Sequence, residues 1–284
     1  MLNLRVDQHG SGDYCTITEA LEAIPYECEA IVTVNEGVYR ERLFSDKRAL
    51  TIRGEGEVVI IAAAGGHDTI DAKKKRGTFR SFTAFFSGEA VTLENLTIIN
   101  EADPSRGQAI ALSLYSHQCH CIDVTLKSHQ DTLFIGPLPE KERETDGFYG
   151  PRHLQPRRLT ELLFEGGLIE GSIDFIFGSG DAHFVSTEIR SVDTGWVCAP
   201  STMAGGQGFV FERCVFTQGE RVEPGSVFVM RPWRAGGRVE CIACHFGRHI
   251  NAALRDDWPG EGAGEGTLEH RQCSVAPGRE FSKM

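Results

Sequence analysis

Apolar and polar positions alternate over short stretches of this chain, and Gly, Asn, Asp and Ser interrupt the alternation. Such runs are typical of β-strands. The segment from Thr16 to Ile24 differs, because its apolar residues fall on one helical face. Those residues are Ile17, Ala20, Leu21 and Ile24. Thr16 or Thr18 provides a cap and Pro25 an end, so the pattern predicts one short helix followed by strands.

A weak repeat recurs at roughly 20 to 30 residues in the rest of the chain. Each copy has an apolar residue, a gap, a small or polar residue and then alternating apolar positions. The copies begin at Leu93, Cys121, Phe184, Phe211 and Cys241. A period of this length, built from strands alone, is that of a solenoid rather than of a sandwich.

The repeat predicts an all-β fold, a right-handed parallel β-helix in which like residues of successive coils stack on one another. An Asn or Cys that recurs at one turn is expected to form an internal ladder, and the N-terminal helix to cover the open end of the stack. Residues 62–77, 136–158 and 255–266 lack strand pattern and are predicted to be loops. No linker divides the chain, so residues 1–284 are expected to form a single domain.

Composition and charge narrow the range of partners. An apolar content of 40% supports a core, and a net charge of -11 disfavours nucleic acid as the main partner. The short basic run 73–76 is interpreted as a solvated loop. No stretch approaches the roughly 20 apolar residues of a membrane span, and a monomer is expected.

Nine cysteines, an odd number, suggest no disulfide framework. The first residues include no apolar leader, so a reduced, cytoplasmic setting is expected, or secretion if the sequence is a trimmed form.

Two cysteine motifs are weighed as possible cofactor or metal sites. Cys241-Ile-Ala-Cys244-His245 matches a haem-attachment pattern but lies in a strand of the repeat, which favours a stacked core ladder. In Cys119-His120-Cys121, adjacent strand residues point to opposite faces, so the histidine is turned away from both thiols. No cofactor and no metal site are expected. Motifs of serine hydrolases, nucleotide-binding proteins and zinc proteases are also absent from the sequence.

Three polar residues stand in unusually apolar surroundings: Asp131, Asp174 and Arg231. Burying such charges costs several kcal/mol per ion unless they pair. In a solenoid, Asp131 and Asp174 share one face, and Gln108 lies one coil earlier. A structural Asp–Arg pair is the simpler interpretation, but a core needs no carboxamides beside it. Gln108 and Gln130 therefore favour an active site.

These residues occur in motifs by which the chain resembles the pectin methylesterases, which fold as right-handed parallel β-helices. The motifs follow the family's order: Gly107-Gln108-Ala-Ile-Ala-Leu112, Gln130-Asp131-Thr-Leu133, Gly171-Ser-Ile-Asp174-Phe-Ile-Phe-Gly178 and Arg231-Pro-Trp233. The likeness runs from Gly37 to the region of Trp258. It implies hydrolysis of methyl esters of galacturonate units in homogalacturonan or its oligomers, with release of methanol and without a cofactor.

The resemblance also implies roles for individual residues. Asp174 would be the nucleophile that forms an acyl-enzyme, and Arg231 would hold it ionised and lower its pKa. Asp131 would be the protonated partner that gives its proton to departing methanol and then activates water for the second step. Gln108 and Gln130 would stabilise the oxyanion by roughly 3 kcal/mol per donor. Trp233, Phe134, Phe177 and Ala199 would line the sugar-binding cleft.

The chain departs from the family pattern at two places beside the site. Val229 and Met230 stand where the family commonly has Leu-Gly, and the bulk of Met230 bears on the position of Arg231. Val197-Cys198-Ala199 replaces Ile-Thr-Ala, which alters one wall of the cleft.

Other functions on the same scaffold are an acyl thioesterase and a non-catalytic β-helix that binds uronates. The five polar residues together disfavour the binding module, whereas Trp233 and a sugar-sized cleft give a weaker argument against the thioesterase. A calcium-dependent lyase would need a carboxylate cluster suited to calcium, which the sequence does not offer.

Overall fold

Nearly all the regular structure consists of short parallel strands. The structure, a computed structural model, describes residues 1–71, 74–258 and 266–276. In chain order the strands are β1 (Leu2–Val6), β2 (Glu29–Tyr39), β3 (Leu43–Ser45), β4 (Ala49–Ala62), β5 (Thr69–Asp71), β6 (Lys74–Lys75), β7 (Ala84–Phe86), β8 (Ala90–Glu94), β9 (Thr97–Asn100), β10 (Leu112–Leu114), β11 (Gln118–Ile122), β12 (Thr125–Lys127), β13 (Leu133–Ile135), β14 (Glu161–Glu165), β15 (Leu168–Gly178), β16 (Asp181–Val185), β17 (Glu188–Pro200), β18 (Phe209–Glu212), β19 (Val215–Gln218), β20 (Val227–Met230), β21 (Arg238–Ile242), β22 (His245–Phe246), β23 (Thr267–Arg271) and β24 (Ser274–Val275). The helical segments are α1 (Ile17–Ala23) and two 3-10 turns, Thr78–Arg80 and Pro104–Arg106.

The strands stack in three parallel series, which are the faces of a β-helix. One face runs through β8, β11, β14, β16, β18, β21 and β23, and a second through β9, β12, β15, β17, β19, β22 and β24. The third, called here the cleft face, runs through β3, β7, β10, β13, β15, β17 and β20. Long strands such as β15 and β17 bend from the second face onto the cleft face. The expected β-helix is confirmed.

The sequence repeat marks the same corner in five of the coils. Its small or polar third position is Asn95, Asp123, Ser186, Arg213 or Ala243, and each has a φ of 51 or 52°. The left-handed region is uncommon for residues other than glycine and turns the chain sharply from the first face to the second. The corner therefore recurs as a backbone conformation, and five different residue types occupy it.

Ladders of like side chains fill the interior, as the repeat predicted for cysteine. Cys214, Cys244 and Cys273 follow the left-handed corner in three successive coils, and the first two are buried. All nine cysteines are described, and each is a free thiol. The rings of Phe164, Phe184 and Phe211 stack likewise, with centroids 6.0 and 4.8 Å apart. In the described part of the chain no asparagine ladder forms; Asn95 instead donates hydrogen bonds to the carbonyls of Gly54 and Gly56 of the preceding coil.

The two cysteine motifs take the orientations that their strands predict. Cys241 and Cys244 are buried, and His245 faces outward. Cys119 and Cys121 point inward, while His120 lies on the outer surface beside Glu165. Among the described residues, no three His, Cys, Asp or Glu side chains come together as a metal site.

The N-terminal helix forms where the sequence places it. Thr16 caps α1 through a reciprocal pair of hydrogen bonds with Glu19, and Ile24 ends it before Pro25. Ile17, Ala20 and Leu21 are buried, and the helix packs against β1, β2 and β3 at the start of the stack. No helix in the described ranges is long and apolar enough to cross a membrane.

Two of the predicted loops have further structure or extend beyond the described residues. Within 62–77, β5 and β6 pair as a small antiparallel ribbon, which the sequence did not suggest; residues 72–73 are not described. Residues 136–158 contain no strand or helix, as predicted. Of 255–266, residues 259–265 lie outside the described part. The single domain expected for 1–284 stays a prediction.

Candidate active site

Successive coils bring the predicted polar residues together beside the cleft face. The amide of Ala109, next to Gln108, donates to the carbonyl of Gln130 over 3.1 Å. The amide of Asp131 donates to the carbonyl of Ile173, next to Asp174, also over 3.1 Å. Asp131 and Asp174 therefore lie one coil apart, separated along the chain by the loop 136–158, and Gln108 lies one coil before Asp131.

Both aspartates occupy strained corners of the backbone. Their φ values are 61° at Asp131 and 49° at Asp174, in the left-handed region that Asp tolerates better than most residues. At Asp174 the register between β15 and β17 shifts between Ile173 and Ile176. This irregularity breaks the alternation of side chains and places the carboxylate at the mouth of the cleft rather than in the core.

Asp174 forms a bidentate ion pair with Arg231. Nε of Arg231 donates to Oδ1 over 2.9 Å, and Nη2 donates to Oδ2 over 2.7 Å. Arg231 is carried by the end of β20, two coils further on, where its amide donates to the carbonyl of Cys198 over 3.0 Å. Asp174 is 7% exposed and Arg231 8%, so each neutralises the other's charge in a site with little water.

The pKa of Asp174 corrects one expectation from the sequence. Burial raises its pKa above the ordinary value of an aspartate, and the hydrogen bonds and charge of Arg231 oppose this without reversing it. The net lowering predicted for the pair is therefore wrong. Arg231 limits the rise and does not produce a pKa below the usual range, because desolvation is the larger effect.

Asp131 is more strongly perturbed than Asp174. Burial raises its pKa well above the usual value, and the nearby charge of Asp174 raises it further. A hydrogen bond from the side chain of Gln130 and the charge of Arg231 oppose these effects only in part. Among the described residues an arginine pairs with Asp174 and none pairs with Asp131, so the two environments favour a charged Asp174 and a protonated Asp131.

The raised pKa of Asp131 predicts how stability depends on pH. A group whose pKa is higher in the folded protein binds a proton on folding, so its contribution is greatest at low pH and is lost as the pH rises through the folded pKa. We expect Asp131→Asn to equal the wild type in free energy of unfolding at pH 4. Above that pH it should gain about 1.4 kcal/mol per unit until the folded pKa is reached. Urea unfolding between pH 4 and 8 measures the difference, and two parallel curves would contradict it.

A cleft of about 360 Å³ surrounds these groups. All five predicted polar residues line it: Gln108, Gln130, Asp131, Asp174 and Arg231. Gly66 lies close to Gln108, and a Cβ at Gly66 would stand 2.8 Å from Oε1 of that amide. The volume falls in the range typical of small-ligand sites.

Three of the four residues predicted to contact the sugar line the cleft, and the fourth does not. Trp233, Phe177 and Ala199 line the cleft. Phe134 does not, because it is 0% exposed beneath Phe79 and Phe177, with ring centroids 5.1 and 5.0 Å away. A direct contact between Phe134 and a sugar ring is therefore excluded in this structure, and its ring instead supports the floor of the cleft.

Several lining residues were not anticipated from the sequence. Phe79 and Phe148 extend the aromatic wall, with centroids 6.4 and 5.9 Å from Trp233. Arg143, Glu144 and Arg234 add charge at the rim, and Trp196 and Trp258 contact Arg231. The chain has three tryptophans, and all three lie here, so tryptophan content offered a clue.

The two departures from the family pattern leave the ion pair intact. Met230 is fully buried, pairs with Cys198 across β17 and β20, and turns its side chain away from the cleft. The buried thiol of Cys198 donates to the carbonyl of Val229 over 2.9 Å, while Ala199 keeps the wall of the cleft small. The doubt that Met230 raised about the reach of Arg231 is thereby removed.

Comparisons with known proteins agree on one family. The family model described as pectinesterase matches residues 3–139. Pectinesterase 31 of Arabidopsis thaliana is 29% identical over 83% of this chain and 71% of its own length. The chain spans about half the length of two other curated pectinesterase relatives.

Solved structures show the same fold. Pectin methylesterase from carrot superposes with a TM-score of 0.81 at 22% identity, over 98% of this chain and 84% of its own. A pectin methylesterase solved in complex with a hexasaccharide superposes with a TM-score of 0.77 at 21% identity, over 100% and 92% of the two chains.

Proposed function

We propose that this chain, which matches the pectinesterase family model over residues 3–139, removes methyl esters from galacturonate units of pectin or pectic oligosaccharides and releases methanol. The observation that carries the proposal is the composition of one cleft. It combines an arginine-paired carboxylate, a second carboxyl group with a higher pKa, and two carboxamides. This set fits acyl transfer, in which a nucleophile, a proton donor and an oxyanion site must act on one carbonyl group.

In the first step, the ionised carboxylate of Asp174 attacks the carbonyl carbon of the methyl ester. The amides of Gln108 and Gln130 donate hydrogen bonds to the oxyanion of the tetrahedral intermediate. When the carbon–oxygen bond to the methoxy group breaks, the proton of Asp131 passes to the leaving oxygen. Methanol departs, and the galacturonyl group remains on Asp174 as an acyl-enzyme.

In the second step, Asp131 is ionised and accepts a proton from water. The resulting hydroxide attacks the acyl carbon, the bond to Asp174 breaks, and the galacturonic acid group leaves and releases its proton to solvent. Asp131 is again protonated and Asp174 again ionised beside Arg231. The higher pKa of Asp131 supports this division of roles, since a proton returns to it between turnovers.

Methanol release is the direct test. We expect release from highly methylated pectin, from methylated oligogalacturonides, or from both, and the ratio of the rates gives the preferred substrate length. Release from neither would overturn the proposal. An acyl thioester tested with the same preparation distinguishes an acyl thioesterase from a pectinesterase. The solved relative that holds a hexasaccharide supports an oligosaccharide ligand, whereas the cytoplasmic location stays a prediction.

Loss of one oxyanion donor should slow turnover without weakening binding. We expect Gln130→Ala to lower kcat by about 10²-fold and to leave KM within a few-fold, because the hydrogen bond strengthens only as charge develops on the carbonyl oxygen. Initial rates over a range of pectin concentrations measure both constants. A raised KM at unchanged kcat would instead assign Gln130 to ground-state binding.

A further inference from the structure

Two indole rings enclose the guanidinium of Arg231. Its Cζ lies 3.5 Å from the ring centroid of Trp196 and 3.7 Å from that of Trp258. We propose that Trp196 and Trp258 are positioning residues, which hold the guanidinium coplanar with the carboxylate of Asp174 and so keep this nucleophile ionised during turnover. The proposal rests on the function proposed above for the same site.

A guanidinium can make hydrogen bonds at its edge and ring contacts on its two faces at the same time. All five N–H groups point outward in the plane of the group, and its two faces carry no donor. One edge is satisfied by Asp174, through Nε and Nη2. The rings contact the group at distances at which cation–π attraction is strong. They also exclude water from it, which strengthens the adjacent ion pair.

Trp196 is anchored by groups that have no other evident task in the site. Its Nε1 donates to Oδ2 of Asp256 over 3.0 Å, and the amide of Asp256 donates to the carbonyl of Met230 over 2.9 Å. Trp196 also pairs with Phe228 of β20, the strand that ends just before Arg231. The ring is thus fixed to the same segment that carries the arginine.

Trp258 is held differently, by stacking. Its Nε1 is buried and has no hydrogen-bond partner among the described residues. A buried N–H without a partner is a cost that evolution usually avoids. Its ring lies over Arg231 on one side, and the guanidinium carbon of Arg143 is 5.3 Å from the ring centroid. Contact with cations is therefore the interaction that this indole makes.

Trp233 has a different environment, although it lies in the same cleft. Its ring packs against Phe79 and Phe177, with centroids 6.4 and 5.8 Å away, and it belongs to the aromatic wall. A sugar platform needs an accessible ring face, which suits Trp233. The ring faces that Trp196 and Trp258 turn toward Arg231 are already covered by the guanidinium.

Other charged or titratable groups that face Asp174 must be considered in any pH effect. Asp131 lies in the preceding coil, and the thiol of Cys198 in the following one. Further charges lining the cleft are Arg143, Glu144 and Arg234. Arg231 is the one hydrogen-bonded to the carboxylate in the described structure, so a change in its position should act on Asp174 first.

The test compares Trp258→Leu, Trp258→Phe and Trp196→Leu with the wild type. We expect the acidic limb of the pH profile of kcat/KM, which follows ionisation of Asp174 in the free enzyme, to move up by about one pH unit in both leucine variants. KM at the pH optimum should change little. In Trp258→Phe, which keeps an aromatic ring, the acidic limb should lie close to that of the wild type. Phe82→Leu is the matched control, because it removes a ring that lies 4.8 Å from the guanidinium of Arg42, outside the cleft.

A second readout needs no activity. Titration of the Asp174 side-chain carboxyl by carbon-13 NMR, assigned with Asp174→Asn, should show the same upward shift in the leucine variants and none in Phe82→Leu. An unchanged Asp174 pKa overturns the proposal. Lower thermal stability alone would then assign the tryptophans to the fold, and a raised KM would assign them to sugar binding. If the wild type releases no methanol, the proposed function fails, while the NMR titration still decides the role of the tryptophans.

Discussion

Asp174→Asn should abolish methanol release, with kcat lowered by at least about 10⁴-fold, close to the effect of removing a nucleophile in other covalent hydrolases. An amide oxygen is a poor nucleophile and carries no charge that Arg231 can stabilise. The substitution changes shape little, and Asn accepts the left-handed φ of 49° at this position about as readily as Asp does. Methanol release at substrate saturation measures the loss.

The chain offers a matched control for this variant. Asp123 has a similar backbone conformation, with a φ of 51°, but stands at an exposed corner far from the cleft residues. Asp123→Asn is the same chemical change in the same local geometry and should retain activity within about twofold. Activity in Asp174→Asn within tenfold of the wild type would mean that another group attacks the ester.

The period of the repeat explains how much of the fold the sequence predicts. The repeat from Leu93 to Phe246 encodes a period, and in a solenoid a period is nearly sufficient, because each coil contacts only its neighbours. Gln108, Asp131 and Asp174 could then be placed on one face, since stacking converts sequence period into position. What the period cannot encode is structure that leaves the coils, such as the ribbon of β5 and β6.

The features of the site that the sequence did not predict are those that depend on burial. The sequence marks Phe134 and Phe177 alike, as aromatic residues just after the motifs that contain Asp131 and Asp174. Phe177 reaches the cleft and Phe134 is covered, because Phe79 comes from a 3-10 turn remote in sequence. The pKa of Asp174 shows the same limit. A nearby arginine can be anticipated from motifs, but the larger effect of desolvation depends on the packing of several coils.

Arg231→Met should be the most damaging single change to both stability and activity. It leaves Asp174 as a buried carboxylate without a partner, which costs about 3–5 kcal/mol in comparable pairs unless the group takes up a proton. Protonation would relieve that cost and at the same time inactivate the nucleophile. We therefore expect loss of methanol release near neutral pH and a lower free energy of unfolding in urea, with the loss of stability greater at pH 8 than at pH 5.

A double variant separates the missing partner from general damage to the fold. In Asp174→Leu/Arg231→Met neither charge remains, and replacing a buried pair by apolar groups is often neutral or stabilising. Most of the lost stability should return, while activity should not. Arg231→Lys keeps the charge but loses the bidentate geometry and the flat surface between the indoles, so it should retain more stability than Arg231→Met and little of the turnover. If the double variant is as unstable as Arg231→Met, the arginine supports the fold through contacts other than Asp174, and stacking between Trp196 and Trp258 is then the first of these to test.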